Sequence, residues 1–149
     1  MIAAIQRVSE ARVDIEENTV GQIGPGLMIL LGIENEDGED DIDWLSRKII
    51  NLRIFDDENG VMNKSLIDTC GDILLVSQFT LHASIKKGNR PSYIKAAKPE
   101  IAIPLYEKFK SKIEFELGKS INTGEFGAMM AVEIHNDGPV TLMLESKSQ

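Results

Sequence analysis

Ile73-Leu74-Leu75-Val76-Ser77-Gln78-Phe79-Thr80-Leu81 is the stretch on which the fold turns. Read as a strand, it sets Ile73, Leu75, Ser77, Phe79 and Leu81 on one face and Leu74, Val76, Gln78, Thr80 and His82 on the other, because side chains alternate along a strand. Both faces begin apolar, and a strand that hides both faces belongs in the middle of a sheet. Upstream, Ile2 to Val8 alternates loosely, and Ala11 to Glu16 sets Val13 and Ile15 against Arg12, Asp14 and Glu16. Thr19 to Ile23 and Leu27 to Ile33 are β-rich runs flanking Gly24-Pro25-Gly26. The N-terminal third therefore reads as an antiparallel meander with a tight connection at those residues. Downstream, Met130, Val132 and Ile134 alternate with Glu133 and His135, and Val140, Leu142 and Leu144 alternate with Thr141 and Glu145. These read as two strands joined by a turn at Asn136-Asp137-Gly138-Pro139.

Two helices complete the pattern. Glu39, Asp40 and Asp41 open a segment in which Ile42, Leu45, Ile49 and Leu52 recur at spacings of three and four, one face of a helix. Its acids come first and Arg47, Lys48 and Arg53 later, matching the sign of the helix dipole at each end. After Pro99, the residues Ile101, Leu105, Phe109, Ile113 and Leu117 follow at four-residue spacing up to Gly118. Pro104 is expected to limit how early that helix starts, since proline is tolerated only in a first turn. Strands dominate, and the strict strand–helix alternation of a doubly wound parallel sheet is absent. The expectation is an α+β fold with mostly antiparallel strands, one domain over residues 1–149, with residues 145–149 as a frayed tail.

The 149 residues are 42% hydrophobic and 27% charged, with a formal net charge of −8, ordinary globular values apart from the charge. Such a surface repels phosphates, which disfavours a protein that coats DNA through charge alone. Cys70 is the single cysteine, so no intrachain disulfide is possible and a reducing, cytoplasmic setting is expected. The N-terminal residues lack the continuous apolar centre of an export signal, and no run of 18 apolar residues offers a membrane span. His82, His135 and Cys70 have no metal-ligand spacing to one another. Asp56-Asp57-Glu58-Asn59-Gly60 lacks the alternating oxygen ligands of a calcium loop and reads as a solvated turn. Phosphate-cradling and dinucleotide-binding glycine motifs are absent. No metal and no cofactor are expected.

Four features carry chemistry. The apolar run Ile73 to Val76 passes directly into Ser77, Gln78, Phe79 and Thr80, and hydroxyl and amide groups at the end of a buried strand require partners, which a ligand can supply. Alternation puts His82 on the face of Thr80 and so offers a general base, with Asp137 as a third member only if the chain folds back. In Asn136-Asp137-Gly138-Pro139-Val140-Thr141 the Gly-Pro pair removes a donor and stiffens a loop; statistics alone favour a trans bond there. Arg7 is a charge within a half-buried strand, on a solvent face by default. Finally, from His82 to Pro99 there are no acids, while Lys86, Lys87, Arg90, Lys95 and Lys98 give +5 and leave −13 to the remainder. Such a stretch suits either a solvated loop or a phosphodiester backbone held beside a reactive pocket.

Ser77-Gln78-Phe79-Thr80-Leu81 together with Asn136-Asp137-Gly138-Pro139-Val140-Thr141 resembles the paired motifs of the D-aminoacyl-tRNA deacylases. The likeness runs from Met1-Ile2 and Ile5-Gln6-Arg7-Val8 through Arg53-Ile54-Phe55, Arg90-Pro91-Ser92 and Thr123-Gly124-Glu125-Phe126-Gly127 to Leu144. The resemblance implies a two-sheet, barrel-like subunit with two main helices packed on it, and a homodimer with its active site at the subunit interface. It also implies a cis Gly138-Pro139 bond that enters the partner's pocket beside Ser77, Gln78, Phe79 and Thr80. Arg7 and Phe126 join Gly138 and Pro139 as substrate-binding residues on this reading, and Lys86, Lys87, Arg90, Lys95 and Lys98 meet the acceptor end of tRNA. The implied reaction releases a D-amino acid, or glycine, from the terminal adenosine and spares L-aminoacyl-tRNA. The competing expectations are a threonine-dependent small-molecule esterase or amidase using Thr80 and His82, and a non-catalytic tRNA-binding dimer.

Overall fold

The computed structural model describes residues 1–148. Its spine is β1 (Ile2–Ile15), which pairs along one edge with β8 (Ala131–Glu145). Along the other edge, Ala11 to Ile15 pair with β2 (Asn18–Ile23), and Ile2 to Val8 pair with β3 (Gly26–Gly32). All three pairings are antiparallel. The expected meander is therefore corrected. Since β2 and β3 both oppose β1, they run the same way along it, and Gly24-Pro25 carries the chain forward between them instead of reversing it.

The long apolar run forms β6 (Asp72–Ser77), with β3 on one side and β7 (Asn122–Thr123) on the other. Its central place is as expected, but both pairings are parallel. Parallel neighbours need long crossovers; the chain supplies one through α1 (Glu39–Asn51) and the other through α3 (Pro99–Leu117). Ile73 and Leu75 face a core closed by Leu45, Ile49, Phe109 and Ile113 of the two helices. Leu74 and Val76 face a second core with Val8, Val13, Ile23 and Met28, enclosed by the curl of the sheet itself. That curl brings β2 against β7: a Cβ built on Gly21 would lie 2.8 Å from the carbonyl oxygen of Thr123, so only glycine permits the approach. The result is an α+β fold with a nearly closed, barrel-like sheet. A second small sheet joins β4 (Phe55–Asp56) to β5 (Met62–Lys64), and the short α2 (Leu66–Thr69) follows it.

Several boundaries differ from the sequence reading, each for a physical reason. The strand reading of Ile73 to Leu81 stops at Ser77, because Phe79–His82 wind into a 3₁₀ turn. Gly138-Pro139 does not join two strands: β8 continues through it in one direction along β1, the mismatch being absorbed where the register slips between Gln6 and Val8 and again between Val8 and Glu10. α3 begins at Pro99 despite Pro104 in its sixth position. The carbonyl that Pro104 cannot bond belongs to Glu100, which is exposed and open to water. Its buried stripe is Ala102, Tyr106, Phe109 and Ile113, so Ile101 lies outside it and is 42% exposed. A strict spacing of four drifts by about 40° per step around a helix of 3.6 residues per turn. The tail is held where fraying was expected. Glu145 pairs with Ile2, the Ser146 N–H donates to the Met1 carbonyl at 3.0 Å, and its hydroxyl bonds Asp41 of α1 at 2.5 Å. Gln149 lies outside the described residues.

Candidate active site

The site grows from the end of β6. Ser77 still pairs with Leu31 of β3, and the Gln78 N–H donates to the Leu31 carbonyl at 2.8 Å. Gln78 then leaves strand geometry (φ −145°, ψ 81°) and the chain tightens into the 3₁₀ turn. The Leu81 N–H returns to the Gln78 carbonyl at 3.3 Å and the Ala83 N–H to that of Thr80 at 3.0 Å. The N–H groups of Phe79 and Thr80 head this turn and have no acceptor within it. The Gln78 amide donates a short hydrogen bond to the Thr80 hydroxyl.

Beside this turn opens a cavity of about 630 Å³, within the range of small-molecule sites. Ser77, Gln78 and Phe79 form one side, Phe126, Met129 and Met130 another, and Tyr93 and Lys98 a third. Phe126 meets Tyr106 of α3 edge to face at 5.6 Å. Tyr106 in turn donates to the Leu75 carbonyl at 3.2 Å, and burial pushes its phenol far above the usual range. Helix, strand end and cavity wall are thus locked together. The ring of Phe79 is 55% exposed and stands edge to face with Tyr93 at 5.1 Å. Tyr93 is a cavity residue that sequence reasoning missed, although an aromatic inside a cationic stretch is a readable signal.

Other predicted residues lie apart from the cavity within the chain. Gly138 and Pro139 are exposed on β8, joined by a cis bond where statistics alone favoured trans. Arg7 is not on a solvent face: it is 7% exposed and supports that loop from below. Its Nε donates to the Asp137 carbonyl at 3.0 Å and its Nη1 to the Ile54 carbonyl at 2.7 Å, with the Asp56 carboxylate at 3.4 Å. Gly138 has φ +128°, and a Cβ there would lie 3.0 Å from Val140 N and 3.2 Å from an Arg7 guanidinium nitrogen.

The Thr80–His82–Asp137 grouping does not form. The Thr80 hydroxyl is engaged by Gln78, Asp137 sits at Arg7, and His82 is buried with its Nε2 unpartnered among the described residues. Strand alternation had aligned Thr80 and His82, and the 3₁₀ turn abolishes it. His82 instead lines a different cavity, with Lys86 and Lys95. Among the described residues no group of three or more His, Cys, Asp and Glu side chains stands placed to hold a metal ion, and no helix is long and apolar enough to cross a membrane.

The cationic segment is pinned at its base and open at its tip. Ser84 and Ser92 exchange backbone hydrogen bonds of 2.8 and 2.9 Å, and the Ala97 N–H donates to the Ile33 carbonyl at 2.9 Å. The side chains of Lys86, Lys87, Arg90, Lys95 and Lys98 make no ion pair or hydrogen bond among the described residues. Every other lysine and arginine has a partner: an acid, as Lys64 has Glu58; a carbonyl, as Arg53 has that of Asn63; or a ring, as Lys48 has Trp44.

Polar backbone and side-chain groups thus stand at the mouth of an apolar, ligand-sized cavity, beside Lys98, which has no ion pair or hydrogen bond among the described residues. The D-Tyr-tRNA(Tyr) deacylase family matches residues 4–145, and the chain belongs to that family. It is 61% identical over 149 residues to a D-aminoacyl-tRNA deacylase of Bacteroides thetaiotaomicron and 62% identical to one of Christiangramia forsetii, covering all of this chain and 99% of each relative. Among solved structures, one described as a c-Myc DNA unwinding element binding protein superposes with a TM-score of 0.90 at 43% identity, over 97% of this chain and 98% of the other. Another, described as a probable eukaryotic D-amino acid tRNA deacylase, shares the fold with a TM-score of 0.82 at 17% identity, over 96% and 97%.

Proposed function

We propose that the protein hydrolyses the ester between a D-amino acid, or glycine, and the 3′-terminal adenosine of tRNA, working as a cytoplasmic homodimer that clears mischarged tRNA. The observation that carries this reading is the Gly138-Pro139 loop: it is exposed, yet held from beneath by the buried Arg7. A loop so supported, and apart from the cavity beside Ser77 in its own chain, suits insertion into the cavity of a second copy, beside Ser77 to Thr80. The exposure of β8, with Met143 55% exposed, supports burial of that strand's outer surface in a dimer. The names of the relatives support the substrate class.

On this reading the N–H groups of Phe79 and Thr80 polarise the ester carbonyl. Water attacks the carbonyl carbon, the bond to the ribose 3′ oxygen breaks, and that oxygen takes a proton, with the neighbouring 2′-hydroxyl assisting. Thr80 positions substrate or water. Mirror-image amino acids carry the same groups, so discrimination requires three fixed directions around the α-carbon. The carbonyls of Gly138 and Pro139 capture the amino group, and the side chain of an L residue is driven into the loop and rejected. Phe126 and its neighbours bound the adenosine end of the cavity.

The test compares D-aminoacyl-, L-aminoacyl- and glycyl-tRNA hydrolysis by the wild type and by Gly138→Ala. The wild type is expected to release D-amino acids and glycine while leaving L-aminoacyl-tRNA intact. In Gly138→Ala the strained φ and the contact with Val140 displace the loop, and the D-specific rate should fall at least tenfold, since about 1 Å of misplacement costs that much or more. Equal wild-type rates on D and L substrates would sink the reading.

A further inference from the structure

A cavity of about 630 Å³ takes an aminoacyl-adenosine but leaves the rest of a single-stranded acceptor end unaccounted for. The wall that carries Tyr93 is also the wall from which the cationic segment departs. Tyr93 keeps 40% of its surface exposed although it stands edge to face with Phe79, and its hydroxyl has no hydrogen-bond partner among the described residues. Its backbone is fixed on both sides, by the Ser84–Ser92 bridge before it and by the Ala96 N–H, which donates to the Tyr93 carbonyl at 3.0 Å, after it. The ring is therefore presented on a rigid support, between Arg90 and Lys95, whose side chains are unpaired among the described residues. Single-stranded RNA is held in this way, by bases stacked on aromatic rings and phosphates met by neighbouring cations.

We propose that Tyr93 is a stacking platform for the nucleobase next inward from the terminal adenosine, with Lys95 and Lys98 meeting the flanking phosphates. The proposal rests on the aminoacyl-tRNA reading above. Tyr93 shares a wall with Phe79 and continues into the cationic segment, so it stands where the strand leaves the cavity.

The experiment measures kcat/KM for wild type, Tyr93→Leu and Tyr93→Phe on two substrates: a D-aminoacyl ester of adenosine alone and the same ester of the trinucleotide CCA. Leucine keeps apolar cover over Phe79 and removes the stacking face; phenylalanine keeps both. The trinucleotide-to-adenosine ratio of kcat/KM should fall about tenfold in Tyr93→Leu and return in Tyr93→Phe. An unchanged ratio in Tyr93→Leu overturns the proposal. A wild type inert on both esters and on D-aminoacyl-tRNA overturns the hydrolytic reading instead. Stacking is then read directly, with no variant needed, from a CCA-ended RNA carrying 2-aminopurine in the penultimate position. Its fluorescence should be quenched on binding the wild-type protein, and a bound but unquenched probe counts against Tyr93 as the platform.

Discussion

At the level of single residues, Thr80 separates two chemistries. A threonine nucleophile needs a base within hydrogen-bond reach, and here its hydroxyl accepts from Gln78 while His82 turns to another cavity. Thr80→Ala should therefore lower the single-turnover rate of D-aminoacyl-tRNA hydrolysis by less than about tenfold, the loss of one positioning contact. A fall of about 10⁴-fold or more, the scale on which removing an essential triad member acts, would restore the nucleophile. A 2′-deoxy terminal adenosine gives the complementary reading and should react far more slowly. That Ser77 and Gln78 border a cavity was legible from sequence only as one of two readings, because hydroxyl and amide groups at the end of a buried strand can find partners in the backbone as well as in a ligand. The support under Gly138 was not legible. Arg7 reaches across to the carbonyls of Ile54 and Asp137, and bonds to backbone oxygen leave no trace in residue identity. A buried carbonyl stripped of its donor costs about 1–3 kcal/mol, so that guanidinium and the loop it holds stand together.

Among the elements, the strands and both main helices were legible because periodicity reports which face is buried. Pairing partners were not, because periodicity is blind to direction: nothing in the alternation of Leu27 to Ile33 or Ile73 to Ser77 says that β3 and β6 run parallel. Asn136-Asp137-Gly138-Pro139 carries every letter of a hairpin turn, yet β1 extends past it on both sides and holds β8 to one course. The turn after β4 did behave as its composition indicated. The Asp57 carboxylate accepts from the N–H groups of Val61 and Asn59, and that of Asp68 from the N–H of Ser65. These bonds, Val61 first for Asp57 and Ser65 for Asp68, hold both carboxyls below their ordinary value of 3.8. A carboxyl depressed by folding contributes stability that is complete above its unfolded value and is lost as pH falls through the folded one. The β4–β5 turn, which neighbours the Ile54 and Asp56 contacts of Arg7, should thus hold through mild acid and weaken only below about pH 3.8. Asp57→Asn should be less stable than wild type in urea unfolding at about pH 6, and the gap should narrow as pH falls below 3.8. A difference that stayed constant over that range would mean the charge is not what stabilises the turn.

For the molecule as a whole, the charge distribution decides how it meets RNA. A net charge of −8 repels a polyanion at long range, and the barrel and helices keep their own cations occupied in ion pairs, carbonyl bonds and a ring contact. Only the segment from Lys86 to Lys98 offers side chains with no partner among the described residues. On the proposed reading, an acidic body with one open cationic edge weakens non-specific binding everywhere except where the acceptor strand arrives. Binding through that edge releases counterions, so log(kcat/KM) on D-aminoacyl-tRNA should fall linearly with log salt concentration, by roughly 0.7 per single-strand phosphate contacted. Replacing Lys86 and Lys87 together with alanine should lower low-salt activity and flatten that slope by roughly 1.4, two contacts' worth. The same pair should leave the hydrolysis of D-aminoacyl-adenosine, which has no phosphate to meet, with its original weak salt dependence. If the slope on tRNA were unchanged in the double variant, the cations at the tip of the segment would be solvating charges, and the acceptor strand would have to approach by another face.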